Sequence, residues 1–446
     1  MRFFSLFLFL FSSITLWAQP KMNSPYSRFG VGDIVSPYFA NQGGQGGLTA
    51  AFHDPFHLNL ANPASYAFLR STALETGIFI NRSNYKTGTS NQDEWSGNMT
   101  HLAIGFTLKS PINELLDKEK SPWNYGMGFS VTPYSRVGYN ILVRDTLPKF
   151  GDIRNVYQGS GGLYRVAWTG AAKHKNTALG LNLGWVVGKT IYQNTTTFTD
   201  TSAVKLPTFQ NNIRQDLRAN GFVWNLGLQH DIVLQRAENN KDIPIRWITV
   251  GLAGNGNHSI RAIEDRFQIR SRGQLLNGTF SDADTLAALT DERREINLPA
   301  AFSLGIQYVK SNKFKLGAQV GFENWASYKN EARPENLRNT FSVSGGVEII
   351  PDAVSFNKPL KRFRYRVGAY YRQDPRTIDG SDLNDYGITF GLGLPIVLPR
   401  QQTSFVNLSF EIGKLGVETP IEETYFRMTA GFTLNDNTWF YKRRFE

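Results

Sequence analysis

The feature that most constrains this chain is a period-two alternation of apolar and polar residues, sustained longer than a soluble strand needs. Phe314, Leu316, Ala318, Val320 and Phe322 alternate with Lys315, Gly317, Gln319, Gly321 and Glu323. Trp123, Tyr125, Met127, Phe129 and Val131 alternate with Asn124, Gly126, Gly128, Ser130 and Thr132. Such alternation gives a strand one apolar face and one polar or very small face. Strands of soluble proteins run about 5–6 residues. These segments run about 9–15, the length that crosses a bilayer at a tilt.

Fourteen segments of this kind fall near 71–81, 95–109, 122–134, 161–173, 177–193, 219–235, 245–257, 296–310, 313–327, 337–350, 362–373, 384–396, 403–414 and 424–435. The first and seventh are the least regular. In the last, Phe432 and Leu434 fall on the lipid side and Thr433 on the inner side. The expected fold is all-β, a transmembrane antiparallel β-barrel of about 14 strands. Residues 174–176 and 311–312 read as tight turns, and 136–160, 194–218 and 258–295 as long loops. Outer-membrane barrels have short periplasmic turns and long outer loops, so an even strand count puts both termini in the periplasm. Beyond residue 17 no apolar run approaches 18 residues, so no helix is expected to span a membrane.

Composition agrees. The 446 residues include 41 Gly, and only 19% are charged, against about 7% Gly and about 25% charged residues in ordinary domains. Thirty-two Phe, 18 Tyr and 9 Trp need somewhere to pack, which excludes a disordered chain. The absence of Cys excludes zinc fingers, iron–sulfur clusters, disulfide scaffolds and cysteine nucleophiles.

Arg2, an apolar stretch from Phe3 to Leu16 and then Trp17-Ala18 read as a secretory signal over 1–18, cut after Ala18. No Cys follows the cut, so the chain is not a lipoprotein. The destination that fits is the outer membrane. The net charge of +11 would suit nucleic acid in another compartment. In an exported chain it reads as scattered cations on loops and in a polar interior, with no nucleic-acid partner.

Enzyme motifs are missing. Neither G-x-G-x-x-G, a P-loop nor G-x-S-x-G is complete. His53 and His57 have metal-ligand spacing for a helix, but Pro55 between them disfavours one. No cofactor, metal or catalytic residue is expected.

Residues 19–70 do not alternate. They are rich in Gly and Pro, with Ser24-Pro25-Tyr26-Ser27-Arg28-Phe29-Gly30, then Gly43, Gly44, Gly46 and Gly47, then Asn62, Pro63 and Ala64. The economical reading is a plug inside the barrel, with an ordinary turn into the first strand as the alternative. As a plug, Asn62 would be pinned to inward polar groups such as Arg364 and Arg366.

The order of Gly-rich turn, Thr49-Ala50-Ala51, Asp54 and Asn62-Pro63-Ala64 before the first strand resembles the hatch of FadL-type outer-membrane transporters. The opening at 24–33, Thr132-Pro133-Tyr134-Ser135 and the ending 434–444 resemble the Bacteroidetes branch of that family. The resemblance implies a hatch at 19–70, a barrel at 71–435 and a periplasmic tail at 436–446. It implies outer-membrane lipid around the barrel and a hydrophobic or amphipathic small molecule as ligand, gated by Gly43, Gly44, Gly46, Gly47, Asn62, Pro63 and Ala64. Within the branch, similar barrels serve as subunits or shuttles of outer-membrane secretion and assembly complexes, so a protein complex is the alternative partner.

The inner face departs from a greasy transport path. Lys315, Gln319, Glu323, Arg364, Arg366, Arg372, Glu411 and Arg427 fall inward by parity. Two readings stand: a channel lining, or mutually satisfied side chains filling a plugged lumen.

Overall fold

A computed structural model of the chain describes residues 23–436, apart from 89, 110–120, 148–150, 200–208, 239–242, 273–282, 356, 399–401, 418 and 420. The expected signal at 1–18 and all but the first residue of the expected tail at 436–446 lie outside the described residues. The strands form one antiparallel ring: β1 (Thr72–Lys86), β2 (Asn91–Thr107), β3 (Trp123–Leu147), β4 (Gly151–His174), β5 (Thr177–Thr199), β6 (Phe209–Arg236), β7 (Pro244–Asn255, continued by His258–Arg272), β8 (Ala283–Leu298, continued by Ala301–Lys310), β9 (Phe314–Glu323), β10 (Thr340–Ile349), β11 (Arg364–Ile378), β12 (Ser381–Leu398), β13 (Gln402–Gly416) and β14 (Glu422–Asp436). β14 pairs with β1 from Glu422 opposite Lys86 to Asp436 opposite Thr72, which closes a 14-stranded barrel.

The alternation decides which face each side chain takes. On β14, Phe432 and Leu434 are exposed while Thr433 is 2% exposed and donates its hydroxyl to Glu75 inside. Leu179, Phe302, Leu304, Ile306, Val320 and Val367 form part of an outward apolar band covered by no protein. Lipid is the solvent for such a band, and closure leaves few strand edges unpaired within it. The protein is an outer-membrane β-barrel. Val367, the fourth residue of β11, is exposed on the outer face between Val347 and Phe390. Val367→Arg should cost about 2–4 kcal/mol and cut the yield of heat-modifiable folded barrel, whereas Val367→Leu should leave it intact. Equal yields would place Val367 away from lipid.

The turns at Lys175-Asn176 and around Asn312 are tight, with Lys175 at φ 52° and Asn312 at φ 54°. The three stretches expected as long loops are instead mostly strand. Residues 136–160, 194–218 and 258–295 continue β3–β8 as hairpins, and β6 reaches 28 residues where β9 has 10. Above the membrane water replaces lipid on the outer face of these hairpins, so the apolar outer row stops while pairing continues and inner residues such as Leu217, Ile260 and Ile296 stay buried. The expected ninth strand at 313–327 is too long: it ends at Glu323, and Trp325–Ser327 turn as a 3₁₀ helix. Nor do connection lengths alternate cleanly, since 108–122 and 350–363, on the same rim as the tight turns, are long.

That rim also carries both barrel ends, and the tall hairpins lie opposite. A periplasmic terminal rim predicts that Ala288→Cys, on the outer hairpin, reacts with an impermeant thiol reagent on intact cells while Asn176→Cys does not. Labelling of Asn176→Cys alone would invert the barrel.

Candidate functional site

Residues 24–70 lie inside the ring, and most of them are buried. They carry two 3₁₀ helices, Pro25–Arg28 and Pro63–Phe68, and one helical turn, Ala40–Gly43. The staves make room with glycines on their inner faces. A Cβ on Gly391 would lie 2.9 Å from the Cα of Gly44, and one on Gly305 would lie 3.1 Å from the amide of Ala51. On Gly126, Gly180, Gly251 and Gly368 it would run into the backbone of Tyr66, Ala64, Ala50 and Gly46. Glycine weakens a strand but lets another backbone approach closely. This collar accounts for much of the glycine excess. Gly46 and Gly47 adopt φ of +72° and +77°, a turn that glycine accepts without strain.

The remaining expected hatch residues sit in the same segment. Gly43 ends the helical turn against Ser409, Gly44 lies on Gly391, Gly47 touches Tyr38, and Pro63 packs against Gly227. Asn62 accepts from the amide of Ala64 at 3.1 Å, capping Pro63–Phe68. Its amide donates to the carbonyl of Ala50 at 2.6 Å and reaches the carbonyls of Leu228 and Leu252 at 3.3 Å. It does not meet Arg364 or Arg366. Those side chains serve carboxylates instead, since a guanidinium gains more from an ionised acceptor.

The carboxylates are Asp54 and Glu348. Asp54 Oδ2 receives Arg364 at 2.8 Å and Lys315 at 3.1 Å, while Oδ1 contacts His57 at 3.1 Å. Glu348 receives Arg366 at 2.7 Å and Lys315 at 3.3 Å. Arg366 also donates to Asn407 at 2.9 Å. Gln319 accepts from the amides of Thr49 and Ala50, both at 2.8 Å. Burial alone would raise the Asp54 pKa, but Arg364, Lys315 and His57 hold it well below the usual carboxylate range. Burial pushes His57 down to about 4, against the pull of Asp54. Five inward residues, Lys315, Gln319, Arg364, Arg366 and Glu348, therefore clamp the segment near the terminal rim. The sequence reading missed Glu348, although its parity on β10 is the same kind of signal.

A second cluster lies toward the hairpin rim. Arg372 meets Asp385 at 2.9 Å and donates to Ser36 at 3.1 Å, and Arg427 meets Glu411 at 3.2 Å. Glu323 joins neither cluster and accepts from the Trp325 indole. The cluster borders a cavity of about 310 Å³, lined by Tyr38, Phe79, Thr132, Arg136, Arg372 and Arg427 among others. The loop after β9 folds inward: Lys329–Asn330 pair with Ile296 and Asn297, and Arg333 donates to the carbonyl of Arg28 at 2.8 Å. Trp325 and Tyr328 of this loop pack with Val31, Leu163, Val186 and Ile260 in an apolar cluster.

Among the described residues the wall parts between β2 and β3, at a seam. β2 and β3 pair only from Leu102 opposite Val131 to Thr107 opposite Gly126. Beyond, β2 stays with β1 up to Asn91 and β3 stays with β4 up to Leu147. Pro133, which has no N–H, and a bulge before Ser135 stand where β3 departs. Asp33–Ile34 pair with the freed edge of β3, and Arg136 reaches across to the carbonyl of Met99 at 3.1 Å.

A family model described as BamG matches residues 1–446, the full length. The chain belongs to the BamG family. No curated protein matches it. Among solved structures, this BamG-family barrel resembles the toluene transporter TbuX of Ralstonia pickettii at TM-score 0.54 and 12% identity, covering 90% of this chain and 99% of that one. It resembles the toluene transporter TodX of Pseudomonas putida at TM-score 0.54 and 13% identity, again covering 90% and 99%. A FadL homologue of Pseudomonas aeruginosa aligns at TM-score 0.49 and 12% identity, over 90% and 99%. At TM-score 0.54 the fold of this BamG-family chain is that of TbuX and TodX.

Proposed function

We propose that this is a plugged barrel that holds no open pore and serves as a membrane-embedded subunit of an outer-membrane protein complex. The observation that carries this reading is the clamp at Asp54 and Glu348. Two carboxylates and three cations, all buried or nearly so, tie the N-terminal segment to β9, β10 and β11. Removing one partner of such a network typically costs several kcal/mol, and the glycine collar leaves the segment no slack. The six tall staves and the exposed Val354 and Leu360 on the terminal rim offer protein-facing surface beyond the lipid band. Gentle purification from native membranes should yield stoichiometric outer-membrane or periplasmic partners. Recovery of the barrel alone, together with uptake of a hydrophobic compound that depends on it, would overturn this reading.

A second reading rests on the seam. The cavity touches Phe79, Ser96, Thr100 and Thr132 on both sides of it, so a hydrophobic or amphipathic small molecule has a sideways route into lipid that bypasses the clamp. On this reading the N-terminal segment, with Gly43, Gly44, Gly46, Gly47, Asn62, Pro63 and Ala64, is the gate. Bridging the seam by joining Met99→Cys to Arg136→Cys with a bifunctional thiol reagent would abolish such passage and leave a structural subunit unaffected.

A further inference from the structure

Arg165 stands on the inner face of β4, between Leu163 and Ala167, which are both buried. The inward guanidiniums of Arg364, Arg366, Arg372 and Arg427 each meet a carboxylate. Arg165 has no such partner among the described residues, and its Nε is buried without an acceptor. The ionisable groups close enough to act on its charge are two tyrosines, Tyr134 and Tyr66. A buried cation without a counter-charge is costly.

Its surroundings repeat the imbalance. Thr132 of β3 lies directly opposite Arg165 in register, and Ser130 lies two residues back on the same face. Thr132 is 6% exposed and Ser130 3%, and neither hydroxyl has a hydrogen-bond partner. On the other flank Gly184 of β5 leaves space, since a Cβ there would come within 3.3 Å of Arg165 Cγ. Thr132 also lines the cavity. One face of β3–β4 thus gathers an unanswered guanidinium and two unanswered hydroxyls, and through Thr132 it borders the void.

We propose that Arg165, Ser130 and Thr132 form a subsite for an oxyanion, the carboxylate or phosphate group of a small molecule that reaches them from the cavity. A guanidinium presents paired donors in a plane that matches such a group, and each hydroxyl adds one donor. The subsite stands on this geometry alone and requires neither an open pore nor a protein partner. An anion from solution and the head group of an amphipathic molecule would present the same chemistry.

The test uses the full barrel in a non-ionic detergent, titrated calorimetrically with inorganic phosphate, dodecyl phosphate and dodecanoate. At least one probe should bind saturably, and Arg165→Gln should weaken it by roughly tenfold or more. Arg218→Gln, which alters an exposed ion pair on the hairpins, should leave binding unchanged. Equal affinity for phosphate and dodecyl phosphate would assign the site to a free anion, and a preference for the dodecyl compounds to a head group. Absence of saturable binding by all three probes, or equal binding by folded Arg165→Gln, would overturn the proposal. Thr132→Cys in this cysteine-free chain offers a second readout if Arg165→Gln fails to fold. The binding probe should slow its reaction with a neutral thiol reagent, and unslowed labelling would overturn the proposal too.

Discussion

Deletion of residues 43–64 should leave a folded barrel that conducts, with discrete single-channel steps in planar bilayers where the intact protein shows none. The segment removed carries Gly44, Gly46, Ala50, Ala51 and Ala64, which press on the inner glycines of β5, β7, β8, β11 and β12. It also carries Asp54, which answers Arg364 and Lys315. The ring does not depend on it for closure, because each pair of neighbouring staves is hydrogen-bonded directly. Its removal exposes a lumen lined by Lys315, Arg364 and Arg366, so the opened pore should favour anions. A folded deletion with the conductance of the intact protein would show that something else occludes the barrel.

Asp54→Ala should loosen the same segment without removing it. It leaves Arg364 and Lys315 buried without one of their carboxylates, and such a loss costs about 3–5 kcal/mol. Hydrogen exchange of residues 44–62 should quicken accordingly, while the staves keep their protection. Acid should act in the same direction. The Asp54 carboxyl is held well below its usual range, so its contribution is full above the ordinary pKa near 4 and fades as pH falls below that. His57 stays neutral in the fold down to about 4, whereas in the unfolded chain it takes a proton near 6.5. Between those values acidification favours the unfolded form, so the clamp should weaken as pH falls from about 6.5 toward 4. Protection that is flat from pH 7 to pH 4, or unchanged in Asp54→Ala, would remove the clamp from the account.

What was legible in the sequence follows from where two solvents meet. Wherever lipid touches one face of a strand and the packed lumen the other, residues such as Phe314–Glu323 betray both faces. Toward the hairpin tips water reaches both faces, and Thr195, Thr196 and Thr197, all half-buried, give no alternation although they are paired with β6. Parity placed Lys315, Arg364, Arg366, Arg372, Glu411 and Arg427 on the inner face. It could not say which acid each would meet, because that depends on the relative heights of staves far apart in the chain. Asp54 lay in a segment without period and revealed its role only once three strands surrounded it. The seam left one sign, Pro133 inside an otherwise regular run, and a proline alone does not tell which neighbour is lost.

The glycine collar has a consequence for biogenesis. The opening between opposite staves is matched to a bare backbone, so a finished ring has no aperture through which the first residues could later be threaded. Those residues leave the export machinery before any stave exists, and β14, which must meet β1 to complete the ring, arrives last. The wall is therefore wound around the chain's own beginning. The order of synthesis becomes part of the structural specification, and a circularly permuted gene that delivers residues 24–70 after β14 should produce an empty ring.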